Sequence, residues 1–102
     1  MRFAYITWLL IVALHTSVYA DKGEVVFEKG FYYVIDTGIG CSVVEWYGGS
    51  IPYKGNVIVG DLNSYGFKSV YNKSRDTETR LYIDDYLLRE SDAIEKVYKL
   101  YR

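Results

Sequence analysis

The chain has 102 residues, half of them hydrophobic and 18% aromatic, with 12 Lys plus Arg against 13 Asp plus Glu. Charges of both signs are mixed along it and no basic block appears, which argues against nucleic acid as a main partner and against a polybasic membrane-surface helix. One cysteine and one histidine exclude an intramolecular disulfide and the usual structural zinc sets.

The first element is a leader. Arg2 gives a short positive start, and an apolar run extends from Phe3 to Leu14, broken only by Thr7. Val18-Tyr19-Ala20 places small residues at the first and third positions before a cut, the pattern a signal peptidase accepts. The reading is a signal peptide over residues 1–20, cleaved before Asp21. The apolar run is shorter than the roughly 20 residues a membrane span needs, so no stable membrane insertion is expected after cleavage. The expected location is exported, in a periplasm or outside the cell. The mature chain is then one small β-rich domain over residues 21–102, with a formal charge of −2. Cleavage also removes His15, the sole imidazole. Ser-His-Asp and Cys-His activation are then unavailable. No catalytic residue, metal site or cofactor is expected.

The mature part reads as short strands separated by glycine-bearing turns. The predicted strands are 24–28, 31–36, 41–47, 56–60, 65–72 and 77–87. Gly38 and Gly40 suit the tight turn after the second, since glycine takes positive φ without strain. In the sixth strand, Leu81, Ile83, Asp85 and Leu87 alternate with Arg80, Tyr82, Asp84 and Tyr86. The leucine and isoleucine face is expected inside, and the tyrosine face half exposed. The chain closes with an amphipathic helix. Ser91 is its expected N-cap, and Ile94, Val97, Tyr98 and Tyr101 form its apolar stripe. Asp92–Lys96 and Glu95–Lys99 are i,i+4 pairs in the favourable order. The stripe should cover one end or an open edge of the sheet. The fold class is mainly β. It is a small, partly open barrel or curled antiparallel meander of five to six strands, OB-like or SH3-like, with one C-terminal amphipathic helix.

Several residue groups suggest chemistry, each against a plainer structural role. Asp61-Leu62-Asn63-Ser64-Tyr65-Gly66 partly matches a calcium loop, but Tyr65 and Asn72 stand where ligands belong. A local β-turn is the preferred reading. Asp84 and Asp85 are strand neighbours and should point to opposite faces unless the strand bulges. They should therefore not serve as an acid/base pair. Asp85 is expected near the strand end, capping backbone or pairing with an arginine. Asp36 and Glu45 are a second candidate pair, read as a cross-strand surface charge. Cys41 begins an apolar strand and should be buried rather than cross-linked. Asn72-Lys73-Ser74 matches an N-glycosylation acceptor.

The aromatic surplus is the main positive signal. Trp46, Tyr47 and Tyr53 flank the longest loop, and Tyr82 and Tyr86 share a predicted strand face. Exposed Tyr and Trp suit protein interfaces, where they bury large areas at low entropy cost. These five residues are the expected binding surface. The expected function is an exported, non-enzymatic binding domain acting on another exported protein, of an inhibitor or immunity type. A polysaccharide or cell-wall binding module using the same aromatics is the alternative.

Overall fold

A computed structural model describes residues 21–101, so the leader and His15 lie outside the described residues. The elements are β1 (Asp21–Lys29), β2 (Tyr32–Asp36), β3 (Cys41–Gly49), β4 (Val57–Gly60), β5 (Gly66–Asn72), β6 (Thr77–Leu88) and α1 (Glu90–Tyr101). All pairings are antiparallel, and the strands close into a barrel in the order β1-β2-β3-β6-β5-β4.

The barrel closes fully because β1 begins earlier than the alternation alone indicates. Asp21 to Glu24 pair with β4, and Glu24 to Lys29 pair with β2. One strand thus serves two neighbours, with a register shift between Val25 and Phe27. Gly23 permits this crossing. A Cβ there would collide with the Ile35 side chain and would sit 3.0 Å from the Asp36 carbonyl. Full closure leaves no open sheet edge.

Strand alternation splits the apolar residues between two cores. Inside the barrel lie Val25, Tyr33, Ile35, Val44, Ile58, Leu62, Val70, Leu81 and Ile83. Burial pushes the Tyr33 phenol up to about 12. Outside, Val34, Cys41 and Val43 are covered by Ala93 and Val97 of α1, with Phe27, Leu88 and Leu100 packed around them. The helix therefore covers the outer wall over β2 and β3, and neither an end nor an edge. Cys41 is buried and unpaired there, and burial raises its thiol pKa, with Asp36 and Glu90 adding to the shift.

The helix itself differs from the sequence reading in three details. It starts at Glu90, and the Ala93 amide donates to the Arg89 carbonyl at 2.9 Å. Ser91 therefore lies within the first turn and is not the N-cap. The covered stripe runs through Ala93 and Val97, while Tyr98 and Tyr101 are half exposed. Those two rings instead cradle the Lys29 ammonium, at 5.1 and 4.6 Å from their centroids. The Glu95–Lys99 pair forms at 3.3 Å. Asp92 binds Arg89 at 3.1 Å, and Lys96 turns to Asp85 at 3.6 Å.

The end of the barrel below β4 and β5 is stopped by a loop residue. Leu62 is fully buried in the interior cluster. Its amide donates to Asp21 Oδ2 at 3.1 Å, and its carbonyl accepts from Ser42 Oγ. Both backbone groups are satisfied, so a polar turn can place an apolar plug without a desolvation penalty.

Candidate functional site

The five predicted binding aromatics do not form one surface. Tyr47 and Tyr82 come together on the outer wall of β3 and β6. Phe67 of β5 joins them, paired directly across from Tyr82. Ring centroids lie 5.0 Å apart for Tyr47–Phe67, 4.8 Å for Phe67–Tyr82 and 6.2 Å for Tyr47–Tyr82. Phe67 is 68% exposed and Tyr47 53%. A register shift between Trp46 and Gly48 on β3 accommodates Tyr47 as the extra residue. The helix covers β2 and the start of β3, so this stretch of wall has no covering element among the described residues.

The other three sit elsewhere. Trp46 points the opposite way from Tyr47, against the interior cluster, and its exposed partner is Phe31 at 5.2 Å. Tyr53 lies on the loop between β3 and β4, with the Arg75 guanidinium 5.1 Å from its ring centroid. Tyr86 does not share a face with Tyr82. It packs against the interior cluster and meets Tyr65 at 4.9 Å.

A bulge in β6 explains the Tyr86 outcome. Val44 pairs with Ile83 while the preceding Val43 pairs with Asp85, so Asp84 is an extra residue. Leu81 and Ile83 face inward as the alternation requires. Beyond the bulge the parity inverts. Asp85 faces outward to Lys96 of the helix and accepts from the Tyr86 amide at 2.9 Å, and among the described residues it pairs with no arginine. Leu87 takes a φ of 57° and is exposed.

The same bulge brings Asp84 and Asp85 toward one wall, which strict alternation forbids. Asp84 Oδ2 is buried and has no hydrogen-bond partner among the described residues. Burial raises the Asp84 pKa, Glu45 and Asp85 raise it further, and Lys96 opposes them. Glu45 in turn faces Tyr32, its cross-strand neighbour, and raises that phenol's pKa after burial. Asp36 pairs with Cys41 at the far end of the β2–β3 hairpin, so it is no partner for Glu45. The groove of about 190 Å³ beside Asp85 is lined by Leu88, Asp92, Glu95, Lys96 and Lys99, and includes neither Asp84 nor Glu45.

The raised Asp84 pKa has a definite sign for stability. A carboxyl that binds its proton more tightly when folded stabilises the fold as pH drops. The ionised form at neutral pH therefore opposes folding. Asp84→Asn is expected to raise the melting temperature by a few degrees at pH 7. The gain should shrink as pH falls toward the ordinary aspartate range. Thermal melts of both proteins across that range check it; a gain that grows on acidification contradicts the assignment.

The remaining motifs resolve structurally. Asp61 accepts from Ser64 Oγ at 2.7 Å and from Lys68 Nζ at 3.0 Å. These bonds lower its pKa. An ammonium thus takes the place a cation would have in a calcium loop, and the loop's second residue is the buried Leu62. Asn72 is fully buried, with Nδ2 donating to Asn56 Oδ1 at 2.9 Å and Oδ1 accepting from the Arg75 amide at 3.2 Å. Its amide nitrogen is not available to a glycan in this fold. Asp36, Cys41 and Glu90 place one ligand atom each within 4.8 Å of one another. Burial raises the Cys41 thiol pKa, which opposes the thiolate that a metal would require.

What remains as a site is the exposed wall of Tyr47, Phe67 and Tyr82. A hollow of about 320 Å³ adjoins it, lined by Tyr47, Phe67, Lys68, Ser69 and Arg80. No family model matches the chain, and neither curated proteins nor solved structures gave a match.

Proposed function

We propose that this protein is an exported, non-enzymatic binding domain that acts through a protein–protein surface, as an inhibitor or immunity-type partner of another exported protein. The observation that carries this reading is the Tyr47–Phe67–Tyr82 cluster. Three large rings from three adjacent strands are held against one another, with Phe67 and Tyr47 exposed and Tyr82 partly so. A barrel whose interior and helix contacts are already packed has no structural need for them there. Their mutual contacts fix the rotamers in advance, which lowers the entropy cost of docking.

Ring geometry favours protein over sugar. A sugar-stacking site presents ring faces flat to the ligand. Here the Tyr47–Phe67 and Phe67–Tyr82 planes meet at 85° and 71°. Such edge-to-face packing makes a raised apolar knob, suited to a pocket on a partner.

The test is capture from the exported fraction of the producing cell, followed by affinity measurement with variants. Phe67→Ala and Tyr82→Ala should each weaken binding by about 2 kcal/mol, roughly 30-fold, as hot-spot aromatics do. Tyr53→Ala and Tyr86→Ala should leave binding unchanged. Retention on polysaccharide or peptidoglycan, lost in the same two cluster variants, would replace this reading with a carbohydrate module.

A further inference from the structure

We infer that the partner presents a carboxylate, from an Asp or Glu beside an apolar side chain, to Arg80 at the edge of the aromatic cluster. This rests on the protein-binding reading above and specifies its chemistry. Arg80 lies on β6 two residues before Tyr82, on the same outer face, and opposite Gly48 of β3. It lines the hollow together with Tyr47, Phe67 and Ser69.

Three observations point to an anion there. Arg80 is exposed and forms no ion pair among the described residues, and it is the cation beside the aromatic cluster that is left so, since Lys68 is held by Asp61. Its guanidinium lies over Gly48 of the neighbouring strand. A Cβ on Gly48 would sit 2.7 Å from Nη2 and 2.9 Å from Nε, so the missing side chain is the space the guanidinium occupies. The register shift that creates the extra residue Tyr47 falls next to this glycine, so one backbone irregularity serves both the ring and the arginine. The result is an unmatched fork of donors laid along the strand beside three aromatic rings. Planar guanidinium matches carboxylate in a bidentate arrangement that an ammonium does not reproduce.

The charge count favours a monoanion. One guanidinium balances one carboxylate. A phosphate dianion would call for a second free cation, and the other cation lining the hollow, Lys68, is already held by Asp61 at 3.0 Å. The apolar walls then take the side chain next to that carboxylate.

Random peptides displayed on phage and selected on the purified full chain test this. Enriched peptides should carry Asp or Glu within a residue or two of an aromatic residue or leucine. Arg80→Lys should lower their affinity about tenfold, with the loss smaller at high salt. Thermal melting of Arg80→Lys should match the parent, because the side chain is exposed. Peptides that require Tyr82 and Phe67 but ignore Arg80→Lys would overturn the carboxylate assignment and leave the aromatic surface standing. Displacement of the peptides by inorganic phosphate would also overturn it, in favour of a free-anion site. Peptides insensitive to Tyr82→Ala and Phe67→Ala, or no enrichment at all, would count against the surface itself.

Discussion

Replacing Leu62 with alanine should destabilise the domain by about 3 kcal/mol, within the range for deleting a buried leucine side chain. Leu62 lies in a turn and yet is fully buried in the barrel interior. Its neighbours are strand residues fixed by cross-strand pairing, so they cannot collapse into the space. The backbone bonds from Leu62 to Asp21 and Ser42 hold the loop in place even when the side chain is truncated. The cavity therefore persists and its full cost is felt. A domain this small has only about 5–10 kcal/mol in total. A loss of 3 kcal/mol corresponds to a fall of roughly 15 °C in melting temperature. Leu62→Met, which nearly conserves volume, should cost under about 1.5 kcal/mol. Equal melting curves for Leu62→Ala and the parent would show that the plug is not part of the core.

The second large effect is expected at Val97. It is fully buried where α1 meets Val34, Cys41 and Val43. Val97→Asp would place a carboxylate in that seam. The cluster's described members are all apolar, so the charge would be buried among them at a cost of about 3 kcal/mol or more. The barrel and the helix should respond differently, because the interior core does not depend on the helix. Undocking α1 exposes Cys41, whose thiol is otherwise covered. An Ellman-type thiol reaction under native conditions should therefore be slow for the parent and fast for Val97→Asp. A slow reaction in both would mean the helix stays docked.

Much of the barrel is legible in the residues themselves. The alternation at Tyr33, Ile35, Leu81 and Ile83 marks the interior face directly, because side chains alternate along a strand. The gap between Asn72 and Thr77 and the glycines at 38 and 40 mark the turns. Closure is harder to read. It depends on Asp21 to Gly23, a polar start whose pairing with β4 is long-range and leaves no local pattern.

The exposed aromatic wall is only partly legible in the sequence, for reasons tied to particular positions. Tyr47 and Tyr82 do lie on one wall, but the bulge at Asp84 turns Tyr86 away from them. A single extra residue inverts every face beyond it, and nothing in Asp84-Asp85 announces it. Phe67 was missed although a signal existed. Val70 points inward, so strand parity puts Phe67 outward with Ser69 and Tyr71, where a phenylalanine has no core to fill. The place of Arg80 is equally hidden, because the guanidinium lies over Gly48 only through the β3–β6 register.

The most direct measurement is fluorine NMR of the chain labelled with 3-fluorotyrosine, titrated with the captured partner. The tyrosines report from distinct walls of the barrel, so each resonance locates the contact. Tyr47 and Tyr82 should shift or broaden on binding, while Tyr53 and Tyr86 remain in place. Perturbation confined to Tyr53, or to Tyr65 and Tyr86, with Tyr47 and Tyr82 unmoved, would contradict the assignment of the β3–β6–β5 wall as the binding surface.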